Sequence, residues 1–304
     1  MAYARLFILE SGCKRYINKE SRNGRGLCCS PATKMEHDMA KLGVVTCQIL
    51  ELEIAHVLSN DPDVSEIWIA SDEFSKEMIM GLENDSNKPV HRVVGVEEFA
   101  KAETHGLAVL VQVLEVGLHS NIPNLTHGVT TTVEKMAPFV DAVLLGYGLC
   151  GNALNHADDL FKDIPVPVLL PMEQEHPVDD CVGLIIGGTE IYYAEQCQCA
   201  GTMFMNAGFS RHWKKILSSN LPENLIPKKD KIMKRLMANY KRSLILTTPV
   251  LGEAKMRENI QEFNEKYNLK TEIRPGTLTL LENAWEEAKK AARLKANQSK
   301  AVRA

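Results

Sequence analysis

The stretch Val143-Leu-Leu-Gly-Tyr-Gly-Leu-Cys-Gly-Asn152 joins a short apolar run to a turn rich in glycine. A continuous apolar run of this length is typical of a strand that is buried on both faces of a parallel sheet. A structural cysteine is expected inside such a run, where it packs as a small hydrophobe. Cys150 instead follows the run and lies between Gly148 and Gly151. We therefore expect Cys150 at the open end of a strand, where a metal ion or another ligand reaches its thiol.

Similar apolar runs alternate with helical patterns along the chain. Strands are predicted at residues 43–46, 65–70, 142–145, 167–170, 243–247 and 270–274. Helices are predicted at residues 48–58, 128–138, 180–187, 253–267 and 277–294, and residues 107–116 are assigned to a helix that leads into a strand. Strands separated by helices predict an α/β fold, a doubly wound and mainly parallel sheet with helices on both faces.

The domain organisation follows from the same pattern. A length of 304 residues is enough for one large α/β domain or two smaller ones. We assign residues 1–40 to an N-terminal arm, because strands and helices do not alternate there, and residues 41–296 to a single α/β domain. Residues 297–304 are predicted to be a frayed tail.

Composition and charge limit the class of function. The apolar fraction of 45% and the charged fraction of 24% are those of an ordinary globular protein. A net charge of −4 gives no reason to expect nucleic acid, and the basic run at 228–235 has the pattern of a solvated helix face. No apolar stretch approaches the roughly 20 residues of a membrane helix, and the N-terminal apolar run is too short for a secretion signal. The sequence therefore predicts a cytoplasmic protein without a membrane or nucleic-acid partner.

Eight cysteines then need an explanation, because disulfides are rare in the cytoplasm. The sequence has no CxxC…CxxC pair, which argues against a zinc ribbon and against a ferredoxin-type cluster. A metal site in this chain must therefore be assembled from distant segments.

Ligands of open α/β sheets bind at the carboxyl ends of the strands, and four side chains fall at such ends. They are Cys47, His119, Cys150 and Cys181. Cys47 and Cys181 also precede or begin predicted helices, where the helix dipole is expected to lower the pKa of a thiol. We predict that the three thiols form one metal centre.

Other residues are candidates for contacts around that centre. In the glycine turn, Tyr147 is expected to close one side and Asn152 to offer a polar contact, with Gly148 and Gly151 allowing close approach. His119 is a candidate binding residue, and His176 and Asp180 are candidates for a fourth ligand. The alternative for each cysteine is simple core packing, which is common for buried thiols. Core packing would leave a doubly wound domain with a small-molecule pocket at residues 146–152.

Three motifs together resemble the family known as domain of unknown function 1638. They are the segments 144–152, 118–123 and 180–188, with the sequences LLGYGLCGN, LHSNIP and DCVGLIIGG. The resemblance extends over residues 42 to 285. It implies a cysteine after the first strand, matched by Cys47, a second in the glycine turn, matched by Cys150, and a third matched by Cys181.

The chain departs from the family pattern in two places. The family has a histidine two residues before the third cysteine, where this chain has Asp179. Where the family tends to have Pro-Gly-Thr, this chain has Cys197 and Cys199. With Cys13, Cys28 and Cys29, these two thiols are candidates for a second site.

Two functional hypotheses follow. In the first, the three thiolates hold zinc or a [4Fe–4S] cluster. The anaerobic context of the family, whose members often lie near corrinoid-dependent methylamine methyltransferases, implies methyl transfer from a corrinoid protein. In the second, the protein is a non-enzymatic accessory that handles a metal or a corrinoid.

Overall fold

The apolar runs form two parallel sheets. A computed structural model of the protein describes residues 39–219 and 223–303. The N-terminal arm, with Cys13, Cys28 and Cys29, lies outside these residues. Within the described ranges, no helix is both long enough and apolar enough to cross a membrane.

The larger sheet has six parallel strands. They are β1 (Ala40–Cys47), β2 (Val64–Ala70), β3 (Val90–Val93), β4 (Leu107–Leu114), β5 (Ala142–Gly146) and β6 (Val168–Leu169). Their order across the sheet is β3-β2-β4-β1-β5-β6, so β1 lies in the centre between β4 and β5. Every residue of β5 is buried, as the continuous apolar run predicts for a strand covered on both faces.

Helices cover both faces of this sheet. The first five are α1 (Glu51–Asn60), α2 (Lys76–Asp85), α3 (Val96–Lys101), α4 (Ile122–Met136) and α5 (Ala157–Leu160), with 3-10 turns at Val116–Ser120 and Ala137–Phe139. From β1 to β2 the chain moves toward the β3 edge of the sheet, and from β4 to β5 it moves toward the β6 edge. Because such crossovers are right-handed, α1 and α4 cover opposite faces. The doubly wound α/β fold predicted from the sequence is confirmed.

The second half of the chain forms a smaller sheet. A short hairpin, β7 (Met172–Glu173) and β8 (His176–Pro177), leads to α6 (Cys181–Ile186) and α7 (Thr189–Gln198). The second sheet has the order β11-β10-β9, with β9 (Thr202–Met205), β10 (Arg242–Thr247) and β11 (Lys270–Pro275). Its helices are α8 (Ala207–Ser219), α9 (Lys229–Met237), α10 (Glu253–Tyr267) and α11 (Thr279–Arg303), with a 3-10 turn at Glu223–Lys228.

The second sheet has its own apolar core, built around Trp213, Ile245, Ile260 and Phe263. It packs closely against the larger sheet just beyond β1. A Cβ placed on Gly208 would lie 2.2 Å from the carbonyl oxygen of Ile49, so α8 begins in backbone contact with the β1–α1 loop. This contact requires glycine because no side chain fits.

Helix α11 follows the second sheet in the chain and packs against the larger sheet. The buried Lys289 ammonium lies 2.6 Å from Asp61 and 3.1 Å from Asp63, and the Trp285 indole N–H also donates to Asp61. A buried ammonium is stable only when it is paired in this way. These contacts hold α11 beside the end of α1.

Several predicted boundaries differ from the structure. Residues 107–114 form one strand rather than a helix leading into a strand. This strand pairs with β1 in the middle of the sheet, and residues on both of its faces are buried. Helix α4 begins at Ile122, where the side chain of Asn121 caps it. Helix α11 continues to Arg303, so the tail predicted to begin at residue 297 is helical as far as that residue.

Candidate thiol centre

Four neighbouring strands deliver side chains to one edge of the larger sheet. Cys47 is the last residue of β1, and Cys150 follows β5. His119 lies in the 3-10 turn after β4, and Cys181 begins α6 after β6 and the hairpin. In the sheet these strands are adjacent in the order β4, β1, β5, β6. The strand order therefore brings the ends of β1 and β5 together as predicted, whereas His119 lies in a turn beyond β4 and the hairpin separates Cys181 from β6.

The three thiols lie close enough to affect one another electrostatically. A negative charge on Cys47 would raise the pKa of Cys150, and charges on Cys47 and Cys150 would raise the pKa of Cys181. Cys47 is 1% exposed and Cys150 is 9% exposed, while Cys181 is half-buried. The structure thus brings the three sequence-predicted cysteines into one buried cluster, which we call the thiol centre.

Cys150 lies in a turn with an unusual backbone. Cys150, Gly151 and Asn152 have φ angles of 49°, 67° and 70°, which places three consecutive residues in the left-handed region. Residues other than glycine adopt this region at a cost of roughly 1 kcal/mol or more each. The surrounding structure must therefore hold the turn in place.

Backbone hydrogen bonds to the segment before Cys181 keep this turn in place. The N–H of Leu149 donates to the carbonyl of Val178 at 2.8 Å, and the N–H of Cys150 donates to the carbonyl of Asp179 at 2.9 Å. A Cβ on Gly148 would lie 2.7 Å from the backbone of Asp180. Gly148 is thus needed for the approach of two backbone segments, which fixes Cys150 relative to Cys181.

Tyr147 and His119 form one wall beside the thiols. Their rings are stacked, with centroids 6.3 Å apart. Neither the Tyr147 hydroxyl nor His119 Nε2 has a hydrogen-bond partner within the described part of the chain. Burial raises the pKa of the Tyr147 hydroxyl and lowers that of His119, so both are neutral near pH 7.

Glu53 is a buried acid that the sequence did not identify. It is fully buried, at 0% exposure, and no other residue between 39 and 219 or between 223 and 303 donates a hydrogen bond to either carboxyl oxygen. Burial raises the pKa of its carboxyl to about 8. The signal was present, since position 53 lies on the apolar face of the helix, three residues after Leu50 and four before Val57.

The expected lowering of the thiol pKa values is wrong. Burial raises the pKa of the Cys47 thiol to about 12. It also raises the pKa values of Cys150 and Cys181, the latter despite its position as the first residue of α6. The helix dipole is a modest effect, whereas removal of a thiolate from water costs several pKa units. Without a cation, all three thiols are therefore protonated near neutral pH.

The thiols are not arranged as a finished metal site. Among the residues described, no group of three or more His, Cys, Asp or Glu side chains has the geometry to hold a metal ion. The residue types are nevertheless those that soft and borderline metals accept, since the charge of the Glu53 carboxyl acts on two of the three thiols. Buried polar groups without partners are rare in proteins, and the Tyr147 hydroxyl and the Glu53 carboxyl are two of them in this part of the structure.

The remaining predicted site residues lie at the margin. Asn152 and Gly151 are exposed, and no described atom lies within 4 Å of a Cβ placed on Gly151. His176 is exposed in the hairpin. Asp180 caps α6 by accepting a hydrogen bond from the Gly183 N–H at 2.8 Å, so its side chain already has a structural role.

Two further thiols lie at the end of α7. Cys197 is exposed and Cys199, the residue that ends the helix, is half-buried. All five cysteines that the structure describes are free thiols. A second site formed by Cys197 and Cys199 with cysteines of the N-terminal arm stays a prediction, since the arm lies outside the described residues.

The fold and the site together define a doubly wound α/β protein with a buried cluster of thiols at the carboxyl edge of its sheet. The profile of the family described as "Protein of unknown function (DUF1638)" matches residues 113–285, more than half of the chain. The protein belongs to this family. Comparisons with curated proteins and with solved structures gave no match. The matched region contains His119, Cys150 and Cys181, whereas Cys47 and Glu53 lie before it.

Proposed function

We propose that this protein binds a metal ion through Cys47, Cys150 and Cys181. One observation carries the proposal: Cys47 ends β1, Cys150 follows the adjacent β5 and Cys181 begins α6, and the three thiols lie near enough for a charge on one to raise the pKa of another. Core packing explains one buried cysteine. It does not explain why three thiols from separate segments of the chain lie near one another.

Electrostatics supports a cation at this position. Burying polar groups without partners costs free energy, and burying an isolated charge costs far more. A bound divalent cation would offset these costs because thiolates, rather than thiols, are its ligands. Binding would displace the thiol protons and draw the sulfur atoms closer together than they lie in the structure described above.

The donor set favours zinc over an iron–sulfur cluster. Zinc accepts sulfur, nitrogen and oxygen ligands, and the charge of the Glu53 carboxyl acts on Cys47 and Cys181. Clusters of the [4Fe–4S] type are held by thiolates, so a neighbouring carboxyl would serve no purpose as a ligand. A cluster is the alternative outcome of the experiment described below.

Zinc would keep a coordinated sulfur deprotonated near neutral pH, and thus nucleophilic. Methyl transfer from a corrinoid held by a partner protein is the activity that the family resemblance implies for such a thiolate. The alternative is a cytoplasmic accessory protein that handles a metal or a corrinoid, for which the exposed Cys197 near Cys199 would serve as an exchangeable ligand.

Anaerobic purification followed by metal analysis, sulfide analysis and an absorption spectrum tests the proposal. One zinc per chain without sulfide is the expected result. Iron with equimolar sulfide and broad visible absorption would instead indicate the cluster. Protein that folds fully, contains neither metal and takes up neither zinc nor iron would refute the proposal.

A further inference from the structure

Strand β11 forms an open edge of the second sheet. The order of this sheet is β11-β10-β9, so β11 pairs with β10 on one side. No strand within residues 39–219 or 223–303 pairs with its other side. Four of the six residues of β11 are exposed, among them the large apolar side chain of Ile273. An exposed strand edge is a template on which another strand can pair.

The other strand edges in the described part of the chain are less suited to pairing. Strand β6 has only two residues, and every residue of β9 is buried or half-buried. Strand β3 carries the basic neighbours His91 and Arg92 and has no acidic residue in its sequence. Strand β11 combines acidic and basic side chains with an exposed apolar one, so it is the edge that can complement a second copy of itself.

The backbone of β11 turns hydrogen-bonding groups outward at every second residue. The Lys270 N–H donates to the Lys241 carbonyl at 3.1 Å, and the Gly276 N–H donates to the last residue of β10 at 2.8 Å. Because the direction of these groups alternates along a strand, the even-numbered residues of β11 face β10. The N–H and carbonyl groups of Thr271 and Ile273 therefore point away from the sheet.

Pro275 occupies the next outward-facing position of β11. Proline has no N–H, and within sheets it is found at edges, at strand starts or at bulges. At this position it removes no hydrogen bond from the pairing with β10. The outer edge of β11 thus offers N–H donors at Thr271 and Ile273, and a carbonyl without an N–H at Pro275.

Two opposite charges flank Ile273 along the strand. The Glu272 side chain is 49% exposed and lies 2.5 Å from the guanidinium of Arg242. The Arg274 side chain is 38% exposed and forms an ion pair with the buried Glu195. A carboxylate accepts several hydrogen bonds and a guanidinium donates five, so both groups keep capacity for a further partner. The internal ion pairs hold the two charges at the edge of the sheet.

Grooves run along this edge on both faces of the sheet. The first has a volume of about 590 Å³, and its lining includes Gln198 and Arg274. The second has a volume of about 500 Å³, and its lining includes Gln261 of α10 and Thr271. Side chains alternate between the two faces of a strand, which explains why positions 271 and 274 line different grooves. A strand added at this edge would project its side chains into both grooves.

We propose that β11 pairs in antiparallel orientation with β11 of a second copy of this chain, centred on Ile273, and so forms a dimer. The two Ile273 residues then exchange both of their outward backbone hydrogen bonds, as in an ordinary hydrogen-bonded antiparallel pair. Each Thr271 N–H donates to the Pro275 carbonyl of the other copy. The same patch meets itself across a two-fold axis, the arrangement of most homodimers.

The charges are complementary in this register. Glu272 of each copy lies opposite Arg274 of the other, at positions without backbone hydrogen bonds, where opposed side chains are closest. A register shifted by one residue pair would place Thr271 opposite Ile273 and Glu272 opposite the same residue of the other copy. Like charges directly opposite one another are destabilising, which favours the register centred on Ile273.

Sedimentation of the full chain at about 1 to 200 μM tests the proposal, since small interfaces are typical of weak association. We expect the 33.9 kDa monomer to convert to a dimer as the concentration rises. Glu272→Arg and Arg274→Glu each place like charges opposite one another, so each should weaken the dimer by at least about tenfold. Lys270→Glu, on the same strand but outside the paired positions, should change the affinity by less than about threefold.

A mixture of the two variants separates loss of complementarity from loss of folding. Glu272→Arg has only positive charge at positions 272 and 274, and Arg274→Glu has only negative charge there. We therefore expect the mixture to form a heterodimer with about the affinity of the wild type. If Glu272→Arg does not fold, Ile273→Pro removes an outward N–H without changing an ion pair and should also weaken the dimer by at least about tenfold.

Hydrogen exchange identifies what covers the edge. The amides of Thr271 and Ile273 should exchange freely at low protein concentration and become protected as the dimer forms. Equal protection at all concentrations would show that another segment of the chain, such as residues 1–38, covers β11, and would overturn the proposal. A wild type that stays monomeric to about 200 μM, a dimer unaffected by the charge reversals, or folded variants that do not associate when mixed would also overturn it.

Discussion

The backbone N–H of Cys150 donates a 2.9 Å hydrogen bond to the carbonyl oxygen of Asp179, two residues before Cys181. The neighbouring bond from Leu149 to Val178 runs in the same direction at 2.8 Å. These bonds join the turn after β5 to the start of α6. The spacing between two of the three thiols is therefore set by backbone contacts rather than by the flexible side chains.

Substitution of Gly148 by alanine tests this arrangement. The new methyl group would lie 2.7 Å from the backbone of Asp180 and Val178, so the two segments must move apart. We expect metal affinity to fall by at least about tenfold, as for other losses of support around a metal site. Isothermal titration with zinc measures this change.

Gly151→Ala is the control for that experiment. Its methyl group meets no described atom within 4 Å, but the φ angle of 67° disfavours alanine. The free energy of unfolding should fall by about 1 kcal/mol while the zinc affinity of the folded protein changes little. An equal loss of zinc affinity in both variants would contradict the positioning role of Gly148.

The thiols should differ sharply in reactivity. Alkylation requires a thiolate that the reagent can reach. Cys197 is exposed, whereas Cys47 is buried with a pKa raised to about 12. We expect iodoacetamide at pH 8 to modify Cys197 within minutes and to leave Cys47 and Cys150 unmodified until the protein is unfolded. Peptide mapping by mass spectrometry follows each site, and rapid modification of Cys150 in the native protein would show that the thiol centre is open.

The sequence predicted the fold class because the alternation of strands and helices depends on local patterns. The apolar run of β5 and the position of Cys150 just after it are read directly from the order of residues. The strand order then brings Cys47 next to Cys150, as expected for parallel strands.

The remaining features depend on contacts that are distant in sequence. The assignment of residues 107–114 failed because an apolar run has the same composition in a buried helix and in a central strand. The predicted lowering of the thiol pKa values was wrong because the burial of Cys47 depends on the second sheet. Helix α8 of that sheet packs against the loop after Cys47. Glu53 was missed because an acid on a helix is normally exposed, although its position on the apolar face between Leu50 and Val57 indicated the burial that the structure shows.

The stability of the protein should depend on pH through the contacts of α11. Burial disfavours the ionised form of Asp61, but the hydrogen bonds from Lys289 and Trp285 outweigh it and lower the pKa of Asp61. The hydrogen bond from Lys289 likewise lowers the pKa of Asp63. A carboxyl whose pKa is lower in the folded state stabilises the protein above its unfolded pKa of about 3.9, and this contribution is lost as the pH falls through the folded value.

Asp61→Asn isolates that contribution. At pH 7 the variant should be less stable by about 1.5–3 kcal/mol, the scale of a hydrogen bond to a charged group. The difference should narrow as the pH falls below about 5, because the carboxyl of the unfolded wild type, with a pKa of about 3.9, binds its proton before the carboxyl of the folded protein does. Urea unfolding at a series of pH values measures it, with the exposed Asp85→Asn as control. A difference that is constant over this range would contradict the assigned role of Asp61.

Metal content of Cys150→Ser measured beside Cys197→Ser tests the central claim most directly. A serine oxygen is a poorer ligand for zinc or iron than a thiolate, so loss of a true ligand removes most of the metal. After anaerobic purification in parallel with the wild type, we expect Cys197→Ser to retain one metal ion per chain and Cys150→Ser to retain less than about a tenth as much. Equal metal content in the wild type and in folded Cys150→Ser would contradict a metal centre formed by Cys47, Cys150 and Cys181.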